Sequence, residues 1–125
     1  MAVGDSSTAL LVAGKFTMAS GEAAMAQLLS VRRLPTAVFC ANDEMAIGAI
    51  KAVRSAGLRV PLDISIVGFD DISYAAFTDP PLTTIRQPRR EFGRAAVSAL
   101  LENLWPGKLD YELIVRASTA APAAR

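Results

Sequence analysis

Residues able to do chemistry are few in this chain, and they fall at punctuated places. Asn42 and Asp43 follow the apolar run 36–41 (TAVFCA), and Asp70 and Asp71 follow the apolar run 64–69 (ISIVGF). A carboxylate set immediately after a buried strand is costly to leave unpaired, and two hydroxyls of a sugar-like ligand are a natural partner for its two oxygens. For Asp70 that contact is favoured over a cap or turn role, Asp71 reads as a turn or cap residue, and Asn42 can cap a helix as readily as it can meet a ligand hydroxyl. Covalent and metal chemistry have less support. The sequence contains no histidine, so neither a Ser-His-Asp set nor a histidine metal site can be assembled. Cys40 is the only cysteine, has no imidazole to act as its base, and reads as a small hydrophobe inside an apolar run. The chain is read as a non-enzyme with no catalytic residue, no cofactor and no metal.

The elements that must position these residues follow from patterning. The run 36–41 reads as a strand buried on both faces. Asn42 then caps a helix over 43–56, with Asp43 and Glu44 in its first turn, Lys51 and Arg54 near its end, and Gly57 at its left-handed stop. A second buried strand, 64–69, carries Asp70 at its carboxyl end. In open parallel sheets ligands bind outside the carboxyl ends of strands, so Asn42 and Asp70 belong to one rim. The rest of the chain adds a strand at 10–13, a helix over 20–31, a helical turn around 74–77 and an extended piece at 82–85. A helix begins at Pro88 with Phe92, Ala95, Ala96, Ala99, Leu100 and Leu104 facing inward, and it ends at Trp105-Pro106-Gly107. A last strand spans 111–115. Alternation of this kind predicts an α/β fold with a three-layer parallel sheet.

The ordered motifs ANDEMAIGAIKAVRSAGLRVPLDISIVGFDD (41–71), PPLTTIRQP (80–88), GKFTMASGEAAMAQLL (14–29) and LIVRAST (113–119) together resemble the effector-binding region of LacI/GalR transcription repressors, with the cytidine-repressor branch most similar. The resemblance implies a truncated periplasmic-binding-protein-like (type I) subdomain. Residues 1–85 would form part of the C-terminal subdomain, 86–119 a crossover helix and strand completing a second subdomain absent from the chain, and 120–125 a disordered tail. It also implies site residues. Phe16 corresponds to an aromatic that stacks on the effector ring, although a Phe beside a strand can also be core; Asn42 and Asp70 correspond to its polar contacts. The dimer face of the family maps onto Met45, Ile47, Ile50 and Val53 of the helix and onto Tyr74 and Phe77 of the following loop. The expected partners are a small-molecule effector, nucleoside or sugar, and a second copy of the chain in a homodimer. DNA would be met only through an N-terminal headpiece that is absent here.

Composition bounds the alternatives. The chain has 125 residues, enough to bury roughly two thirds of its unfolded surface in one core. Its mean hydropathy of +0.33 is high, as parallel strands sandwiched by helices or a surface awaiting a partner would make it. Net charge is +1, and the pairs Arg32-Arg33 and Arg89-Arg90 are isolated, so no general polyanion footprint is present. No apolar stretch approaches the length of a membrane span and no signal segment is recognisable, which predicts a cytoplasmic protein without membrane contact. A periplasmic-type sugar-binding fragment and a phosphoacceptor receiver are the other readings. The receiver would need an early acidic pair that the chain does not have.

Overall fold

The structure, a computed structural model, describes residues 10–104 and 107–122. Thr17 and Ser20 form a reciprocal capping box that opens helix α1 (Met18–Leu29), and Gly21, Ala24, Met25 and Leu28 recur on its buried face. Strand β1 (Ala37–Phe39) follows, then helix α2 (Asp43–Ser55). The Asn42 side chain accepts from Met45 N at 2.9 Å to cap α2. At the other end Gly57, with φ of 77°, lets Gly57 N reach Arg54 O (2.9 Å) and Leu58 N reach Val53 O (3.1 Å). That pair of bonds is the Schellman termination that only a residue free to adopt positive φ closes without strain.

Helices α1 and α2 pack closely because glycines face the crossing. Gly21 lies against the backbone of Met45, and Gly48 lies against the backbone of Met18 and Glu22. Lys51 adds an ion pair to Glu22 at 2.8 Å. Beneath α2 lies β2 (Ser65–Asp70), the most buried strand, and then β3 (Thr83–Arg86), reached through a 3-10 turn (Ser73–Phe77). The core joins Met25, Ala46, Val53, Ile64, Ile66 and Leu82.

The sheet order is β1-β2-β3-β4, with β1, β2 and β3 parallel. Helix α3 (Arg89–Leu101) starts after Pro88, and β4 (Glu112–Ile114) returns antiparallel to β3. The sheet is therefore mixed where an all-parallel one was expected. Helix α2 runs back between β1 and β2 and restores the strand direction, whereas after α3, which stays mostly exposed, Glu112 at the start of β4 re-enters beside Arg86 at the carboxyl end of β3, so β4 runs the other way.

Three further expectations are corrected. Residues 10–13 are not paired into a strand: among the described residues no strand bonds to them, and Val12 packs against the core instead. The inward face expected of α3 is mostly open. Ala95 is its only buried residue, whereas Leu100 is 85% exposed. Ala120, read as the first residue of a disordered tail, is instead fixed along with the residues before it. Ser118 is fully buried, its carbonyl accepts from Ile66 N, and its hydroxyl bridges Thr83 N and Ile66 O. Ala120 then exchanges bonds with the Ser65 side chain. The expected helix end at Trp105 and the last three residues of the tail lie outside the described residues.

Candidate functional site

Asn42 follows β1 and Asp70 ends the neighbouring parallel strand β2, so the two share one rim, and Asn42 holds Phe16, from the segment before α1, beside it. The Asn42 amide uses both ends: Oδ1 accepts from Met45 N, while Nδ2 donates to Phe16 O at 3.1 Å. One side chain therefore caps α2 and fixes the backbone of Phe16. The Phe16 ring is 63% exposed, so it is available as a flat apolar platform and is not used as core.

Asp70 ends β2 half-buried, with φ of 119°. Its carboxylate accepts from Gln87 Nε2, and Arg89 Nη2 donates to its backbone oxygen at 2.8 Å. Asp71 continues at φ of 53°, and Phe16 stands at 58°. Non-glycine residues rarely hold positive φ, and such backbone strain concentrates where structure serves a ligand or a switch. Among the described residues only Asn103 shares that conformation.

Two neighbours of the rim play parts that the sequence did not disclose. Asp43 stands in the first turn of α2 as expected, but it is fully buried there. Its Oδ2 accepts from Ile72 N at 2.8 Å and its Oδ1 from the Thr84 hydroxyl at 2.5 Å, tying the start of α2 to the loop after Asp70 and to β3. Gly68 makes the room, since a Cβ there would strike the Asp43 carboxylate. Burial pushes the Asp43 carboxyl above its ordinary range, and the bonds from Thr84 and Ile72 reverse this only in part, with Asp70 and Asp71 adding to the rise. Asp71, read as a turn residue, is an ion-pair hub. It binds Arg116 and Arg86, each at 2.7 Å. Burial raises its carboxyl, but the two arginines outweigh that and hold it below the usual range. No sequence pattern links Asp43 to Thr84, or Asp71 to Arg116, because each pair is local only in the folded chain.

The site offers a ring platform, a carboxylate and amide donors, and no nucleophile. Burial, with the Asp43 charge second, pushes the Cys40 thiol up to about 12, so it carries no thiolate near neutrality. Among the described residues no group of three or more His, Cys, Asp or Glu side chains converges on a metal position. None of their helices is long and apolar enough to cross a membrane.

The expected dimer residues separate into two sets. Met45, Ile50 and Val53 are buried in the chain's own core. Ile47 is half-buried and lines a shallow depression with Arg54, Thr78 and Asp79, while Tyr74 and Phe77 are exposed.

Comparison with known proteins identifies the family. Residues 5–119 match the model of the periplasmic binding protein-like domain. The HTH-type transcriptional repressor CytR of Escherichia coli (strain K12) is 49% identical over 115 residues, covering 86% of this chain and 34% of that protein. Among solved structures, the lac repressor dimer bound to operator and the anti-inducer ONPF aligns with a TM-score of 0.77 at 39% identity, over 86% of this chain and 40% of that one. A LacI-family regulator from Lactobacillus casei with bound glucose aligns at 0.70 and 37% identity, over 82% and 40%. The chain thus spans about a third of the length of the curated relatives it matches.

Proposed function

The chain belongs to the periplasmic binding protein-like domain family, in its branch of LacI-type transcriptional repressors, and from that premise we propose that it supplies the effector-sensing half-site and part of the dimer face of such a repressor. The observation that carries this reading is the rim, where Phe16, Asp70 and Asp71 hold strained backbones and Asn42 pins Phe16 in place. The ligand is a polyhydroxylated ring. Phe16 stacks on its face, Asp70 accepts from neighbouring hydroxyls, and Asn42 supplies what its cap leaves over. A nucleoside such as cytidine is the leading effector because of the likeness to CytR, and a sugar, as bound in the Lactobacillus casei regulator, is the alternative.

Regulation is non-enzymatic and cytoplasmic. Effector binds two conformations with different affinity and shifts their balance, and operator affinity changes reciprocally. Operator contact is assigned to parts of a repressor outside this span, in keeping with the net charge of +1. Residues 86–119 complete a second subdomain, which accounts for the open face of α3. The dimer face narrows to Ile47, Tyr74 and Phe77, the apolar residues of that side that the core does not consume.

The test is a chimera in which this span replaces the matching third of E. coli CytR. Calorimetry should show cytidine binding, weakened in Asp70→Asn by about 1–3 kcal/mol through lost charge-assisted bonds. Unchanged affinity in that variant removes Asp70 from the site, and binding of hexoses in place of cytidine selects the alternative effector.

A further inference from the structure

An acid in the first turn of a helix gains from the dipole while its oxygens stay in water, yet Asp43 at the start of α2 is fully buried. Burying a charge rarely adds stability over a well-packed apolar side chain. The chain even sets a glycine inside β2 to admit it: a Cβ on Gly68 would lie 2.2 Å from Asp43 Oδ1, and glycine weakens a strand interior. What the carboxylate supplies is position.

Its Oδ2 accepts from Ile72 N at 2.8 Å, and its Oδ1 accepts from the Thr84 hydroxyl of β3. Ile72 follows directly on Asp70 and Asp71, two consecutive non-glycine residues at positive φ, 119° and 53°. Such a turn persists only where its surroundings hold it. Before the turn, the ladder between β2 and β3 registers Asp70 against Arg86. After it, the Ile72 amide is anchored on Asp43, and Thr84 fixes the orientation of that carboxylate. A charged acceptor makes the anchor stronger than a neutral one would. The preceding residue does the matching task on the other side of the rim: Asn42 Nδ2 holds Phe16 O at 3.1 Å, and Phe16 is itself at φ of 58°. Adjacent residues at the start of one helix thus fix the backbones of both the ring platform and the acid.

We propose that Asp43 is a positioning residue for effector binding: through Ile72 N it holds the Asp70–Asp71 turn in the shape that presents the Asp70 carboxylate to ligand hydroxyls. Asp43 acts from within the core, and its role rests on the reading of the rim given above.

In the 125-residue chain, Asp43→Ala should speed amide exchange at Ile72 about tenfold or more, while Ile66, whose amide bonds Ser118 O, keeps its protection. Asp43→Asn should largely restore Ile72, because its amide oxygen can still accept from Ile72 N and its nitrogen can donate to Thr84. Affinity is read in the CytR chimera, with cytidine as probe or, where the chimera selects the hexose, glucose. There Asp43→Ala should weaken binding about tenfold, and Asp43→Asn by less than about threefold. In an Asp70→Asn background the same alanine should cost less than about twofold, since the contact it positions is already lost; a side chain that only supports the fold would cost the same in both. Should the alanine variant fail to fold, Thr84→Val removes the carboxylate's other partner at nearly constant shape, and its loss should shrink in the Asp70→Asn background in the same way. Equal losses in the two backgrounds, or no loss in the Asp70 background, overturn the proposal. A chimera that binds neither probe, or whose Asp70→Asn variant binds like its parent, overturns the reading of the rim itself, and the proposal falls with it.

Discussion

Helices α2 and α3 each have 13 residues and each carries an apolar stripe, yet eight residues of α2 are buried and only one of α3. The difference lies in what stands opposite. Ala46, Ala49 and Val53 of α2 meet the core built by α1 and β2, and Gly48 lets the backbone of α1 come against it. Phe92, Val97, Leu100 and Leu101 of α3 have no such layer and remain exposed. An amphipathic pattern states that a face is to be covered; it does not state that the cover is in the same chain. The two helices are therefore a matched pair for experiment.

The largest effect should come from the closest contact. Gly48→Ala places a methyl group against the carbonyl of Met18 and the amide of Glu22, which are backbone atoms unable to rotate away. Opening the α1–α2 crossing to admit it should cost about 3 kcal/mol or more, at the upper end for overpacking. Urea unfolding followed by circular dichroism measures it, and a loss below about 1 kcal/mol would mean that the helices slide apart freely.

An intermediate effect is expected where the two regions are tied. Asp71, beside β2, holds Arg86 at the end of β3 and Arg116 beyond β4; its side chain is 8% exposed and that of Arg116 17%. Asp71→Asn should destabilise by about 2–3 kcal/mol, less than a fully buried pair because Arg86 is half exposed. The pH dependence checks the cause. A carboxylate held below its unfolded pKa of about 3.9 contributes stability that is present above that pKa and lost as pH falls through the folded value. The gap between wild type and variant should therefore be constant near neutrality and shrink below about pH 4. Asp43 works in the opposite sense. Its raised carboxyl contributes stability that is present below about pH 3.9 and lost as pH rises through the folded value, so it cannot mimic the acid loss. A gap that persists undiminished into acid would assign the cost to packing and not to charge.

How much of this was legible in the sequence depends on the reach of each interaction. The caps of α2 at Asn42 and Gly57, and the placing of polar residues after β1 and β2, are set within a few residues and were read correctly. Residues 10–13 have a strand's composition, but a strand exists only when a neighbour accepts its peptide groups, and composition cannot supply one. Asp43 looked like a dipole-favoured first-turn acid, because burying it requires Gly68 to stand aside and Thr84, 41 positions away, to donate. Ser118 gave no signal either, as one hydroxyl among several in a polar ending. Its place between β2 and β3 becomes visible only when residues 52 apart meet.

The smallest effect completes the pair and has the opposite sign. Gly93 sits inside α3 as Gly48 sits inside α2, but a Cβ built on it meets no atom within 4 Å. With no neighbour to strike, alanine there only removes the glycine's excess conformational freedom, which should stabilise by about 0.5–1 kcal/mol. One substitution, made at equivalent depth in two helices of equal length, should thus destabilise in one and stabilise in the other. The sign at Gly93 also reports on the missing layer. In a chimera carrying the rest of a repressor, a partner packed on α3 near Gly93 would turn the gain into a loss, whereas a gain that survives in the chimera would mean that this turn of α3 faces solvent there too.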